Sequence, residues 1–230
     1  MDGKITRIAF YRKHPSYLII AASASLLISI SVITTMLADR SEFVWILAEW
    51  AAAMEHLRIS LTRLIGALLV AVAVVAPLAL TVRRLPRLEA NITPLMLSLL
   101  AVPWVLLAAA INMMIHLQLN SSQMVLFAAL GGGAWIFAGL APRQQSLPAR
   151  YKSVRFGIRT VVLMLLVAET LALTQGLGSQ IRFYTLYWSP ALLFLYGALS
   201  GSVIAAAILF GRLGGTGLVK GMERFAAPHD

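Results

Sequence analysis

The stretch LLVAETLALTQGLG, residues 165–178, places a carboxylate, Glu169, inside an otherwise apolar run. An ionised side chain in the middle of a membrane helix costs about 2.5–3.5 kcal/mol, so it is expected to face the protein interior or a water-filled cavity. The best candidate partner for Glu169 is Arg63, which lies near the start of another apolar run. Two interpretations follow: a buried ion pair that fixes helix register, or a polar element beside a transport path.

Apolar runs of this kind fill the chain. The 230 residues are 60% hydrophobic and only 12% charged, a composition typical of membrane proteins rather than soluble domains. About 20 apolar residues suffice to cross the hydrocarbon core. We therefore predict an all-α, polytopic membrane protein with a single integral domain and no separate soluble catalytic domain. The six predicted spans are residues 17–37, 60–82, 92–115, 123–140, 157–174 and 186–210.

Basic residues are distributed unevenly between the predicted loops. With a cytoplasmic N-terminus, fifteen of the 19 lysines and arginines lie in cytoplasmic segments and four lie outside. Cytoplasmic loops of membrane proteins have this excess, so both termini are predicted to be cytoplasmic. The net charge of +10 is thus attributed to membrane orientation, and no nucleic-acid partner is predicted. The chain is divided into a basic N-terminus (1–16), a transmembrane domain (17–211) and a C-terminal tail (212–230).

The longest outside segment, residues 38–59, is predicted to form an amphipathic helix on the membrane surface, because its apolar and polar residues fall on different helical faces. A spacer packed on the bundle and a docking element for a partner both fit this pattern. The apolar face comprises Phe43, Leu47, Trp50, Met54 and Leu57, and the polar face comprises Glu42, Glu49 and His56.

Small residues mark one predicted helix contact. Gly197, Gly201 and Ala205 form a small-xxx-small stripe in the last span, which allows two helices to approach closely. Packing within the chain is favoured over a subunit interface. In the third span, Pro103 is predicted to loosen the local helix.

Residues suited to catalysis or metal binding are sparse. The sequence contains no cysteine, and its four histidines are scattered over different segments, without the spacing of a metal site. A glycine-rich phosphate loop with its lysine is missing, as is a nucleophile with an adjacent base. We therefore predict that this chain is not an enzyme, binds no metal and needs no cofactor.

The stretch VAETLALTQGLG, residues 167–178, resembles the fifth-span signature of permease subunits from the nitrate/sulfonate/taurine group of ABC importers. Three further stretches resemble the family in the same order along the chain. Together the similarity covers residues 59–210. The three stretches are ISLTRLIGALLV (59–70), AVPWVLLAAAINMMIHLQLNSSQMVLFAALG (101–131) and LPARYKSVRFGIR (147–159).

The resemblance implies a transport subunit of the bacterial inner membrane. Its partners would be a second permease subunit, an ATP-binding cassette ATPase that hydrolyses ATP, an external solute-binding protein and membrane lipid. The solute would be small and often anionic, such as nitrate, a sulfonate or taurine. Because an unpaired carboxylate would repel an anion, Glu169 is expected to be neutralised by Arg63. The residues expected near the path, besides Glu169, are Asn112, Met113, Met114 and Thr170.

One cytoplasmic segment departs from the family pattern. These permeases have a coupling segment between the fourth and fifth spans, whose short helix fits a groove on the ATPase. Here only GLAPRQQS, residues 139–146, occupies that place. The shortened loop supports a second hypothesis, a permease-like structural or accessory subunit without direct ATPase coupling; a proton-coupled carrier is disfavoured by the small size and the lack of an internal repeat. The residues that either contact an ATPase or anchor the loop to anionic lipid headgroups are Arg143, Pro148, Arg150, Lys152 and Arg155.

Overall fold

The computed structural model describes residues 40–104, 106–107, 109–110, 120–142, 145–172 and 175–226. Within these ranges the chain is helical and contains no strand, which confirms the all-α class. The predicted first span, residues 17–37, lies outside the described residues. The helices are α1 (Arg40–Arg84), α2 (Pro86–Ser98), α3 (Ser121–Leu140), α4 (Leu147–Ala172), α5 (Leu177–Leu186) and α6 (Pro190–Ala226).

Three of the described helices are long and apolar enough to cross a membrane. They are Val44–Arg84 within α1, Ser121–Leu140, and Pro190–Met222 within α6. The number becomes four when α4 and α5, which are bent by 48° relative to each other, are counted as one broken span. These lengths support association with a membrane, and the six-span arrangement stays a prediction.

The described part of the predicted third span is not one continuous helix. α2 ends at Ser98, a short 3-10 turn covers Leu99–Ala101, and Val102 is extended with φ −67° and ψ 124°. Pro103 explains this break, because the proline ring disfavours the helical conformation of the residue before it. The loosening of the helix that was predicted at Pro103 is thus a break in the described portion of the span, while residues 111–115 lie outside that portion.

The predicted surface helix and the second span form one continuous helix, α1. It contains 45 residues and is roughly 67 Å long at 1.5 Å per residue, more than twice the hydrocarbon thickness of about 30 Å. Residues 38–59 contain neither glycine nor proline, so nothing in the sequence interrupts the helix before the span. A separate helix lying along the membrane is not what the structure contains.

The two faces of this N-terminal half of α1 are also used differently from the prediction. Leu47 and Trp50 of the apolar face are exposed. Glu49 and His56 of the polar face instead contact residues of other helices in the molecule. Glu49 and His56 therefore pack against the protein, whereas the apolar face is divided: Leu47 and Trp50 point away, and Leu57 packs on the core.

α6 continues beyond Phe210, where the last span was predicted to end. Gly211 and Gly215 allow close packing on α4, since a Cβ atom at either position would lie 3.3 Å from an α4 side chain. Val219 and Met222 are buried in the second of the two apolar clusters of the core. This tertiary packing stabilises the helix across glycines that would weaken it in isolation, so residues 212–226 are an extension of α6.

Close helix packing occurs between α3 and α4. A Cβ atom at Gly132 would lie 2.6 Å from the carbonyl oxygen of Gly157, and one at Gly157 would lie 2.8 Å from that of Gly132. Both positions therefore require glycine. The predicted stripe on α6 is different: Gly197 is exposed, and a Cβ atom there would have no described atom within 4 Å.

Candidate functional site

The structure brings together the two charged residues of the predicted pair. Arg63 of α1 donates from Nη1 to Oε1 of Glu169 on α4 over 3.0 Å. Glu169 is 0% exposed and Arg63 is 8% exposed, so both charges are removed from solvent. A buried pair of this kind is stable only when hydrogen bonds also satisfy the remaining donors and acceptors.

Two further segments also accept hydrogen bonds from Arg63. Its Nε and Nη2 atoms lie 3.1 Å and 2.9 Å from the hydroxyl oxygen of Ser121 at the start of α3. Nη1 also donates to the backbone carbonyl of Gln175, in the turn after α4. One guanidinium group thus joins α1, α3, α4 and this turn, using its rigid fork of donors.

The carboxylate of Glu169 is enclosed by α1 and by the start of α5. The hydroxyl of Ser60 lies 2.9 Å and 2.7 Å from its two oxygens and donates its proton to this carboxylate. The backbone N–H of Gly178, in the first turn of α5, donates to Oε2 over 3.2 Å. A negative charge at a helix N-terminus is stabilised by the unpaired N–H groups and by the helix dipole.

Three consecutive backbone N–H groups at the start of α5 are accepted by side chains. Besides the Gly178 bond to Glu169, Gly176 donates to Nδ1 of His56 over 3.2 Å, and Leu177 donates to Oγ of Ser60 over 2.9 Å. Nδ1 of His56 is therefore the acceptor nitrogen of its imidazole ring. The N-terminus of α5 is thus capped by residues distant in sequence.

The glycines of the QGLG segment are explained by this enclosure. Gly176 has φ of +131°, a conformation that glycine adopts readily and other residues rarely. A Cβ atom at Gly176 would lie 2.5 Å from Oε1 of Glu169, and one at Gly178 would lie 2.8 Å from Cβ of Glu169. The backbone therefore lies so close to the Glu169 carboxylate that positions 176 and 178 have no room for a side chain.

A second polar cluster lies beside the first. Oε1 of Glu49 accepts hydrogen bonds from the hydroxyls of Tyr184 on α5 and Tyr196 on α6, over 2.9 Å and 2.8 Å. The two tyrosine rings are stacked with centroids 5.5 Å apart, and the ring of His56 meets Tyr196 edge-on at 6.0 Å. His56 therefore links this cluster to the N-terminus of α5.

These contacts reveal a polar stripe on α1 that sequence reasoning had missed. Glu49, His56, Ser60 and Arg63 are spaced by seven, four and three residues, which places them on one helical face. The spacing is visible in the sequence, but it crosses the boundary between the predicted surface helix, which contains Glu49 and His56, and the predicted span, which contains Arg63. The stripe faces the segment that joins α4 to α6.

The arrangement around Glu169 is suited to holding helices together. Its carboxylate has three hydrogen-bond donors and a counter-charge, and no part of the side chain reaches solvent. Within the described residues, no three histidine, aspartate or glutamate side chains are close enough to hold a metal ion. The contacts correspond to the interpretation of a buried pair that fixes helix register.

Of the residues expected near a transport path, the structure describes Thr170 in addition to Glu169. Thr170 is half-buried, and its hydroxyl donates to the carbonyl oxygen of Leu166 in the preceding turn of α4 over 2.8 Å. Its polar atom is thus used within its own helix. Asn112, Met113 and Met114 lie outside the described residues.

The residues expected in a coupling loop do not form one surface. Six residues, 141–146, connect α3 to α4, and Arg143 among them lies outside the described residues. Arg150 is buried and donates from Nη2 to the carbonyl oxygen of Pro142 over 2.9 Å. Lys152 and Arg155 are exposed on the first turns of α4, as is Pro148.

No protein-family model, curated protein or solved structure matches the chain. The hydrogen bonds of Arg63 and Glu169 involve three of the four stretches on which the family resemblance is based, residues 59–70, 101–131 and 167–178.

Proposed function

We propose that this chain is a permease subunit of an ABC importer for a small, anionic solute such as nitrate, a sulfonate or taurine. The observation that supports this most is the meeting of two motifs across 106 residues, from Arg63 to Glu169. Each motif resembles the same family, and the residues of the two motifs form one buried network.

The network has a direct consequence for an anion-conducting path. An unpaired carboxylate beside the path would repel the solute, whereas a carboxylate paired at 3.0 Å with a guanidinium group contributes little net charge. The hydrogen bonds from Ser60 and Gly178 hold the pair in place. Glu169 and Arg63 would thus position the helices around the path without contacting the solute.

In this proposal the chain crosses the inner membrane of a bacterium six times, with both termini in the cytoplasm. The spans at residues 17–37 and 92–115 would bring the total to six, together with the three long apolar helices and the broken span of α4 and α5. A second permease subunit would form the other half of the path. An ATP-binding cassette ATPase would bind at the cytoplasmic side, and an external binding protein would deliver the solute.

A second candidate function is favoured by the connection between α3 and α4. Its six residues, 141–146, are too few for the two-helix excursion that docks on an ATPase in the resembling family. The inward orientation of Arg150 removes one cation from any surface that could compensate. The chain would then be an accessory subunit that assembles with other membrane proteins and has no ATPase contact of its own.

Site-directed crosslinking separates the two candidates, because the sequence has no cysteine. Single cysteines are introduced at Ser146, the last residue of the connection, and at the matched exposed position Ser122 near the opposite end of α3. The importer proposal expects an ATPase to co-purify and to be crosslinked from Ser146→Cys only. Co-purification without any crosslink from that position favours the accessory subunit, and association with membrane proteins alone excludes direct coupling.

A further inference from the structure

A cavity of about 520 Å³ lies between the first turns of α4 and the middle of α6. Three cations line it, Lys152, Arg155 and Arg159. They are separated by three and four residues, which places them on one face of the helix. Apolar and aromatic walls are provided by Tyr151, Phe156 and Ile208.

The three cations have no acidic partner in the described part of the chain. The ion pairs there are Glu55 with Arg58 and Glu169 with Arg63, and all three cations are exposed. Arg150, which the sequence grouped with Lys152 and Arg155, is turned inward toward Pro142 and does not line the cavity. The third cation that lines the cavity with Lys152 and Arg155 is therefore Arg159, not Arg150.

The position of the cations along α4 matches the boundary of an apolar layer. Arg159 is followed immediately by TVVLMLLVA, residues 160–168. The three cations extend over roughly 10 Å of helix at 1.5 Å per residue, comparable to the roughly 5–8 Å headgroup layer on each side of the hydrocarbon core. They are thus spaced to meet headgroups where α4 enters the membrane.

Apolar side chains continue the same surface toward the hydrocarbon. Phe156 and Ile208 are exposed at the cavity, and the ring of Phe156 is held by an edge-on contact with Trp135 at 4.5 Å. Leu163 is also exposed and stands one helical turn beyond Arg159, on the same face of α4. A ligand on this face would meet cations at one end and apolar side chains at the other.

We infer that this face binds one anionic phospholipid, with its phosphate at Lys152, Arg155 and Arg159 and an acyl chain along Phe156, Ile208 and Leu163. Arginine and lysine together suit a phosphate group, and basic residues at the edge of a membrane helix attract acidic lipid. The exposed apolar wall favours a lipid over a free phosphate, which would leave it in contact with water. The inference requires a membrane but not transport, so it stands apart from the proposed function.

Native mass spectrometry of the purified full-length chain in detergent micelles tests the site. Micelles are titrated with phosphatidylglycerol, with phosphatidylcholine, or with inorganic phosphate as a soluble competitor. A cation near an acidic headgroup contributes about fivefold in affinity, so Lys152→Gln/Arg155→Gln/Arg159→Gln should weaken phosphatidylglycerol binding by roughly a hundredfold. Phosphatidylcholine binding should remain unchanged, and phosphate should compete weakly.

The matched control is Arg84→Gln/Arg87→Gln/Lys220→Gln, which removes the same charge from exposed positions outside the cavity and should retain the lipid preference. Equal binding of both lipids by the wild-type chain overturns the inference, as does equal loss in the two triple variants. Phosphate that displaces the lipid at equal concentration would assign the site to a soluble anion, and an ATPase bound there without lipid preference would assign it to a protein. If the first triple variant does not fold, Lys152→Gln and Arg155→Gln singly must each lose about fivefold.

Discussion

Removing the buried pair one partner at a time should show that Arg63 and Glu169 act as a unit. Glu169→Ala strands a guanidinium group that is 8% exposed, which costs about 3–5 kcal/mol for a broken buried pair. It also removes the acceptor of the Gly178 N–H, worth about 1–3 kcal/mol. Arg63→Ala strands the carboxylate, which keeps its bonds from Ser60 and Gly178, so the cost is about 3–5 kcal/mol.

The double variant, Arg63→Ala with Glu169→Ala, leaves no buried charge. Its unfolding free energy should therefore fall by no more than that of Glu169→Ala alone, about 4–8 kcal/mol. The coupling energy in the double-mutant cycle should therefore reach at least about 3 kcal/mol, the cost of Arg63→Ala alone, well above the additivity error of about 0.5 kcal/mol.

The assay is reversible unfolding in mixed detergent micelles, followed by fluorescence of the five tryptophans. The matched control is the same cycle for Glu55 and Arg58, a pair with a 2.6 Å contact whose side chains are 53% and 68% exposed. That exposed pair, also on α1, should show coupling close to zero because solvent screens it. Additive effects for Arg63 and Glu169 would refute the idea that the two residues act as a unit, as would equal coupling in the two cycles.

The other predictions test the turn, the second polar cluster and the topology. Gly176→Ala should destabilise the fold, because it adds a Cβ 2.5 Å from a carboxylate oxygen at φ +131°, whereas Gly217→Ala, with no described atom within 4 Å, should be neutral or stabilising in the same unfolding assay. Tyr196→Phe removes a 2.8 Å bond to a carboxylate and should cost about 1.5–3 kcal/mol. The exposed Tyr187→Phe should cost almost nothing, and equal losses would contradict the assigned contact. An impermeant thiol reagent applied from outside should label Ser122→Cys and spare Ser146→Cys, and the reverse pattern would exclude the proposed orientation.

Much of the secondary structure was accessible from sequence because it depends on local patterns. Long apolar runs, with few Gly and Pro interruptions, predict membrane helices wherever they occur. A carboxylate inside such a run must be neutralised, so the search for a partner led from Glu169 to Arg63. The break before Pro103 likewise follows from the steric effect of proline on its neighbour.

Other features depended on contacts between distant segments. Helical periodicity separates the faces of α1, but it does not reveal which face contacts the rest of the protein. Glu49 and His56 are therefore predicted on the polar face of a membrane-surface helix, whereas in the structure they contact other helices. The continuation of α6 depends on burial of Val219 and Met222 in a core built from several helices. Sequence spacing alone contains neither piece of information.

The surroundings of Glu169 show where local information ends. The sequence determined that a charge lay in an apolar run, that it needed a partner, and that glycines followed it. Only the tertiary structure decided that Ser60 and His56 cap α5 from 117 and 120 residues away, and that Gly176 leaves room for the carboxylate. The physical reason is that a hydrogen bond between distant residues forms only after packing has fixed both backbones, and that packing depends on the whole chain.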